Sequence, residues 1–285
     1  MPQTHTHEHG HHQQRGADDG QAEILDLDAE VLAGHIAAIT EWLPLKSGPR
    51  RIVDLGSGTG AGTFALLDRF PEAHVTAVDA SPGHLARLRE KARARGVDEQ
   101  VRTLAADLDD ATWPDLGTPD LVWASASMHH LADPDHALRA VRDLLAPGGL
   151  FAVVELAGLP RFLPEDAPAD RPGLEARLHA ATDRFHAEHV PHRGADWGPV
   201  LTAAGFTVEG VLTVAVDLDG SRDAAIGRYA SEVLHRLRGA VAAELAPADL
   251  VALDRLLDRG SPHGLLRRDD LALRTERTVW AARRD

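Results

Sequence analysis

The chain has 285 residues, an apolar fraction of 44% and a formal net charge of −14. Such an acidic balance argues against nucleic acid as a partner, because phosphate contacts need clustered cations. There are no cysteines, which excludes disulfides, thiolate metal sites and cysteine nucleophiles. No apolar run approaches the roughly 18 residues a membrane helix needs. The N-terminus lacks the apolar stretch of a secretion signal. The expectation is a cytoplasmic protein, a monomer or homodimer, with neither nucleic acid nor a membrane as partner.

Residues 1–20, MPQTHTHEHGHHQQRGADDG, are polar and rich in histidine. They read as a disordered tail. His5, His7, His9, His11 and His12 would give it at most loose metal capture. Folded protein is expected over 21–285. Ile24, Leu27, Val31, Leu32, Ile36 and Ile39 recur at helical spacing up to Trp42, before Pro44, Gly48 and Pro49. Strands and helices then alternate. Strands are predicted at 51–56, 74–80, 101–107, 120–125 and 150–156. Helices are predicted at 60–70, 82–95 and 133–145, the second opened by Ser81 as N-cap and Pro82 in its first turn. This alternation implies an α/β fold with a doubly wound, mostly parallel sheet.

The stretch VDLGSGTGAGTFALL (53–67) places four glycines between the first strand and the first helix. A tight βα turn there lets the backbone approach a ligand closely, and the helix N-terminus adds oriented N–H groups. Two cofactors compete. Gly56, Gly58 and Ala61 satisfy the dinucleotide pattern, with Asp79 near the acidic position expected about 20 residues later. Against that, Asp54 adds negative charge beside the turn and Gly60 extends the pattern to D-x-G-x-G-x-G. Asp107 closes the third strand. Aspartates at three strand ends repel a diphosphate and suit an adenosine that carries a positive group.

These residues resemble the class I S-adenosylmethionine-dependent methyltransferases, in particular stand-alone, actinobacterial-type enzymes that modify small molecules. The resemblance rests on VDLGSGTG (53–60), VTAVDAS (75–81), LAADLDD (104–110), DLVWASASMHHL (120–131) and LAPGGLFAVVEL (145–156), in that order. It extends more weakly to GFTVEGVLTVAV (205–216) and RTERTVWAAR (274–283) as sixth and seventh strands. It implies a seven-stranded, Rossmann-like methyltransferase fold with helical cap insertions, the last strand forming an antiparallel edge. It also implies S-adenosylmethionine as cofactor and S-adenosylhomocysteine as product. Asp54, Gly56, Ser57, Gly58 and Gly60 would surround the cofactor's amino-acid end. Asp79 and Ala80 would meet the ribose, Asp107 and Leu108 the adenine. Ser125 follows the fourth strand, where acceptors approach.

Cap elements are expected at 21–47, with its helix over the cofactor mouth, at 158–195, with a helix over 172–188, and at 219–270. For catalysis His130 (beside His129), Tyr229 and His263 are candidates, each able to serve as base or hydroxyl or simply to pack. His186, His189 and His192 lie close together and read as a pocket base, a metal cluster or solvated residues; no metal is expected. Phe162 and Trp197 are candidates for an aromatic wall or for the core. The Ala/Arg/Asp/Gly-rich, Lys-poor composition resembles that of high-GC actinobacterial proteins, whose enzymes of this type often methylate natural products, including indole-containing cyclic dipeptides. An NAD(P)-dependent oxidoreductase and a non-catalytic S-adenosylmethionine-binding protein are the alternatives.

Overall fold

The computed structural model describes the backbone of residues 8–190 and 192–285, and the side chains of all of these except 8–19 and 222. A single seven-stranded sheet organises it. The strands are β1 (Arg51–Leu55), β2 (His74–Asp79), β3 (Val101–Ala105), β4 (Leu121–Ser125), β5 (Leu150–Leu156), β6 (Phe206–Asp219) and β7 (Ala272–Arg284). Their spatial order is β3-β2-β1-β4-β5-β7-β6. The central strands β1, β4 and β5 are apolar runs buried on both faces, as parallel strands between helix layers must be. β7 runs antiparallel to both β5 and β6. The last strand is therefore interior, and β6 takes the edge expected for it. The reason is burial: Val279, Trp280, Ala281 and Ala282 of β7 are all buried, whereas β6 buries little along its length.

Helices α3 (Ala61–Arg69), α4 (Pro82–Arg95) and α5 (Pro134–Leu144) are the crossovers. Ser81 caps α4 by accepting the His84 N–H, and Asp133 caps α5 by accepting the His136 N–H. The chain builds outward from β1 through β2 to β3, then returns to place β4 on the other side of β1. That reversal is a topological switch point, and it opens a crevice at the carboxyl ends of β1 and β4.

The expected N-terminal helix is two helices, α1 (Glu8–Val31) and α2 (Ala33–Trp42), joined at Leu32. Residues 8–20, read above as tail, form the first turns of α1, since extending a nucleated helix costs little. His5 and His7 lie outside the described residues. The third strand stops at Ala105, so Asp107 sits in the following loop and does not end the strand. A short helix that the sequence reading leaves out, α7 (Trp197–Ala203), is capped by Asp196; Pro199 stands in its first turn, where proline is tolerated.

α6 (Leu174–His189), α8 (Ala224–Ala240) and α9 (Pro247–Leu257) pack with α1 into a cap that has its own apolar core, including Leu27, Leu178, Leu234 and Leu253. Polar ties fix it. Asp249 of α9 accepts from Arg171 Nε at 2.6 Å and Arg177 Nη2 at 2.8 Å. Asp28 of α1 accepts from Tyr229 Oη of α8 at 2.7 Å and from Arg277 Nη2 of β7 at 2.7 and 2.6 Å. Tyr229 is 5% exposed and packs edge-on to Phe162 at 5.3 Å between ring centroids. Burial, then the Asp28 carboxylate, push its pKa well above that of a free phenol.

Beneath the sheet's switch point, Asp54 of β1 is 2% exposed and accepts from Thr63 Oγ1 of α3 at 2.6 Å. Burial raises its pKa to about 7.

Two measurements check these placements. Tyr229→Phe removes one hydrogen bond to a carboxylate that keeps its arginine, so urea unfolding should show a loss of about 1–2 kcal/mol. The raised pKa of Asp54 means that its protonated form favours the native state. That contribution is complete below about pH 4 and is lost as pH rises through about 7. Asp54→Asn cannot ionise, so between those limits its unfolding free energy should fall less than that of the parent, by up to about 4 kcal/mol.

Candidate active site

The loop after β1 turns through left-handed conformations at Gly56 (φ 66°) and Gly58 (φ 52°). A Cβ on Gly56 would lie 2.4 Å from Cβ of Ser127, and one on Gly58 would lie 3.0 Å from Cδ1 of Leu25 in α1. The glycines thus admit neighbouring protein: the loop after β4 at one point, the overlying helix at the other. Backbone hydrogen bonds fix the turn, from Ser57 N–H to Val78 O at 2.9 Å and from Gly60 N–H to Ser57 O at 2.9 Å. The Gly58 N–H donates to Asp79 Oδ2 at 2.8 Å.

Asp79 closes β2 and carries the electrostatics of the crevice. Its Oδ1 accepts from Ser81 N–H at 2.8 Å and lies 3.2 Å from Nδ1 of His84. Burial opposes its ionisation, but hydrogen bonds from His84, Ser81 and Gly58 outweigh this and hold its pKa below the usual range. Across the cleft floor, Asp107 accepts the Asp109 N–H at 3.0 Å, and Asp109 accepts the Ala132 N–H at 2.8 Å. The loops after β3 and β4 are thereby tied together. The opposite wall is Ser125 to Ser127, where Ala126 is itself left-handed (φ 52°) and Ser127 Oγ donates to Leu55 O at 3.0 Å.

These groups enclose a cleft of about 260 Å³. Gly56, Gly58, Asp79, Ala80, Asp107, Leu108, Ser125 and His130, all candidates from the sequence, line it. So do His84, Asp109 and Ser127, and Gln21 and Leu25 roof it from α1. Other expected residues fall elsewhere. Ser57 is buried with an unpartnered Oγ, Gly60 caps α3, and neither lines the cleft. Asp54 lies below it, bound to Thr63 and with its pKa near neutrality, so it does not place a fixed negative charge beside a ligand. That role passes to Asp79, Asp107 and Asp109. Tyr229 is a buried cap residue, and His263 sits exposed in the loop after α9; neither lines the cleft. Phe162 and Trp197 are core residues and form no wall of the cleft.

α1 is latched over the loop through Asp26, which accepts from Thr59 Oγ1 at 2.5 Å, pairs with Arg87 Nε at 2.5 Å and also meets Lys91 Nζ. At the far end of the cleft His129 is buried, its Nδ1 2.5 Å from Oε2 of Glu155, and its N–H donates to Oε1 of the same residue. Glu155 announces itself in the sequence only as one charge in the apolar run LFAVVEL. The neighbouring His130 ring lies 4.1 Å from that of His129 and opens to solvent. Desolvation first, and His129 next, lower its pKa to about 4. No group of three or more His, Asp or Glu side chains among the described residues is arranged to hold a metal ion.

The residues fit the cofactor the resemblance implies. The cleft joins a carboxylate at the end of β2 to a second carboxylate after β3. Beside them the buried Nε2 of His84 has no protein partner. A row of acidic acceptors suits hydroxyls, amines and a cation, and disfavours a diphosphate.

Comparison with known proteins points the same way. Residues 53–151 match the family described as "Methyltransferase domain". The chain is 33% identical over 208 residues to a malonyl-[acyl-carrier protein] O-methyltransferase of Halorhodospira halophila, a match covering 72% of this chain and 67% of that one. It is 28% identical over 211 residues to 27-O-demethylrifamycin SV methyltransferase of Amycolatopsis mediterranei, covering 73% and 75%. For other curated relatives, 40% and 43% identical over 119 residues, the match spans only 53% and 42% of the relative's length. A crystal structure from Bacillus halodurans C-125, described as a candidate methyltransferase, superposes with a TM-score of 0.54 at 18% identity, covering 87% of this chain and 98% of that one, and shows the same fold. These findings displace the dinucleotide reading of the glycine turn: the chain belongs to the class I S-adenosylmethionine-dependent methyltransferases.

Proposed function

We propose that this protein transfers a methyl group from S-adenosylmethionine to a small-molecule acceptor that enters at the His130 end of the cleft. The observation that carries this reading is the Asp79 carboxylate, fixed on the Gly58 N–H and facing a cleft that it shares with Asp107 and His130. When bound, the cofactor supplies an electrophilic methyl carbon. Asp79 accepts the ribose hydroxyls, Asp107 and Leu108 meet the adenine edge, and the Gly56–Gly58 backbone borders the amino-acid end. Leu25 roofs the cleft, and Asp26 latches α1 in place over it. Much of the rate enhancement then comes from positioning and desolvation. His130, held neutral throughout the neutral range, offers a lone pair to an acceptor that must lose a proton.

Natural products are the acceptor class we favour, supported by the likeness to the rifamycin enzyme. Both named relatives methylate oxygen, which supports an oxygen acceptor here. An indole-containing cyclic dipeptide gains less support, because no Phe, Tyr or Trp lines the cleft to stack on it.

Calorimetry tests the reading. S-adenosylhomocysteine should bind and NAD should not. Asp79→Asn should weaken that binding by about 10- to 100-fold, the loss of hydrogen bonds to a charged acceptor. Asp26→Ala should weaken it several-fold by unlatching α1. Binding of NAD, or unchanged affinity in Asp79→Asn, would refute the assignment. Once an acceptor is identified, turnover should be flat from about pH 6 upward and fall only toward the His130 pKa of about 4.

A further inference from the structure

Glu155 and His129 form a buried pair that methyl transfer as described leaves unused. Glu155 is the last residue but one of β5, and His129 lies in the short 3-10 turn Met128–His130 that follows β4. Both side chains are 3% exposed. A carboxylate buried in an apolar strand is costly unless its oxygens are satisfied. Among the described residues, both of its hydrogen bonds go to His129. Oε1 accepts the backbone N–H at 3.2 Å, and Oε2 lies 2.5 Å from Nδ1. As a carboxylate Glu155 accepts both, so Nδ1 carries the ring proton. One acid thus fixes the backbone and the ring of a single residue.

His130 rests on that residue. Its side chain lines the cleft, yet it makes no hydrogen bond of its own among the described residues. The ring it meets is that of His129, with centroids 4.1 Å apart and planes tilted by 44°. Other polar ties hold the two ends of this segment. Ala126 N–H donates to Val154 O at 2.8 Å, Ser127 Oγ donates to Leu55 O at 3.0 Å, and Ala132 N–H donates to Asp109 at 2.8 Å. Between them the turn has only its own long hydrogen bonds, His130 N–H to Ser127 O and Leu131 N–H to Met128 O, each 3.2 Å. Among the described residues, Glu155 supplies the polar tie from the middle of the turn to the sheet. His129 itself does not line the cleft.

We propose that Glu155 is a positioning residue: by gripping His129 at two atoms it sets the ring against which His130 stands, and so keeps the His130 ring at the acceptor end of the cleft. The inference rests on the methyl-transfer reading above, and deepens it by naming what holds the base of that reading in place. Glu155 and His129 touch no substrate in this scheme and move no proton.

The test is an NMR titration of the His130 ring in the parent protein and in two variants. In the parent the midpoint is about 4, set first by desolvation. The charges that act on the ring are those of His129, Glu155, Arg193 and Arg236. Glu155→Leu loses both bonds to His129, so the His130 ring should turn out into water and its midpoint should rise toward the ordinary value of 6.5. Glu155→Gln keeps an oxygen for the His129 N–H and an amide for Nδ1, so its midpoint should stay near 4. Both variants remove the same charge. An effect of charge would therefore move both midpoints alike, and an effect of position only that of Glu155→Leu. Calorimetry with S-adenosylhomocysteine should give the parent's affinity in each variant, because Glu155 does not line the cleft, and this confirms that each has folded. Glu155→Ser, too short to reach His129, replaces Glu155→Leu should that variant fail to fold. Equal shifts in the Gln and Leu variants, or an unmoved midpoint in Glu155→Leu, would overturn the proposal. Failure of S-adenosylhomocysteine to bind the parent protein would instead overturn the reading on which it rests.

Discussion

The hydrogen bond from Gly58 N–H to Asp79 is the constraint on which the site depends. It joins the turn after β1 to the end of β2, and it does so at the point where the sheet reverses its direction of growth. A carboxylate there is unusual only in being kept ionised while half-buried. Three donors hold it: two backbone N–H groups, and the His84 ring within reach. Because the donors belong to the loop after β1 and to the first turn of α4, the charge cannot relax away from the cleft without opening both. The fixed acceptor is therefore preorganised for a ligand that brings hydroxyls or positive charge.

A second constraint carries this geometry outward. α1 is held within a single turn by two carboxylates that face opposite ways. Asp26 reaches down to the glycine loop and α4, and Asp28 reaches across to α8 and β7. Roof and cap are thus one unit. Any movement that lifts Leu25 from the cleft must break the Asp26 contacts first and then strain the buried Asp28–Tyr229–Arg277 group. Tyr229, a candidate for chemistry in the sequence, is spent on this latch.

How much of this could be read from residue order follows from what each signal measures. Apolar runs and capping residues report local structure, and they place the first five strands and their helices within a few residues. The glycine turn, Asp79, Asp107 and Ser125 were legible because strand ends at a switch point are where ligands bind. Asp54 misleads for a physical reason: a carboxylate at the end of a buried strand can face the helix layer as readily as the crevice, and only packing against Thr63 and Gly62 decides which. His84 could not be found, because its role depends on the rotation of α4's first turn. The Glu155–His129 pair joins segments far apart in the chain, so nothing in spacing records it. The order of the last two strands was likewise invisible: β6 carries only acidic charges and β7 mostly basic ones, neither bias says which is interior, and burial alone assigns that position.

Charge distribution gives these pieces a common logic. The chain is strongly acidic, and the acidity extends into the cleft as Asp79, Asp107 and Asp109. Beyond Ser125 the acidity ends: the wall continues through Ala126 and Ser127 to His130, which is neutral at physiological pH. A cation bound at the acidic end places its positive centre toward the boundary. That centre then stands beside carboxylates already fixed by backbone and side-chain donors, so no reorganisation is needed to receive it. A diphosphate in the same place would set anion against carboxylate, so the charges that receive a cationic donor also reject a dinucleotide.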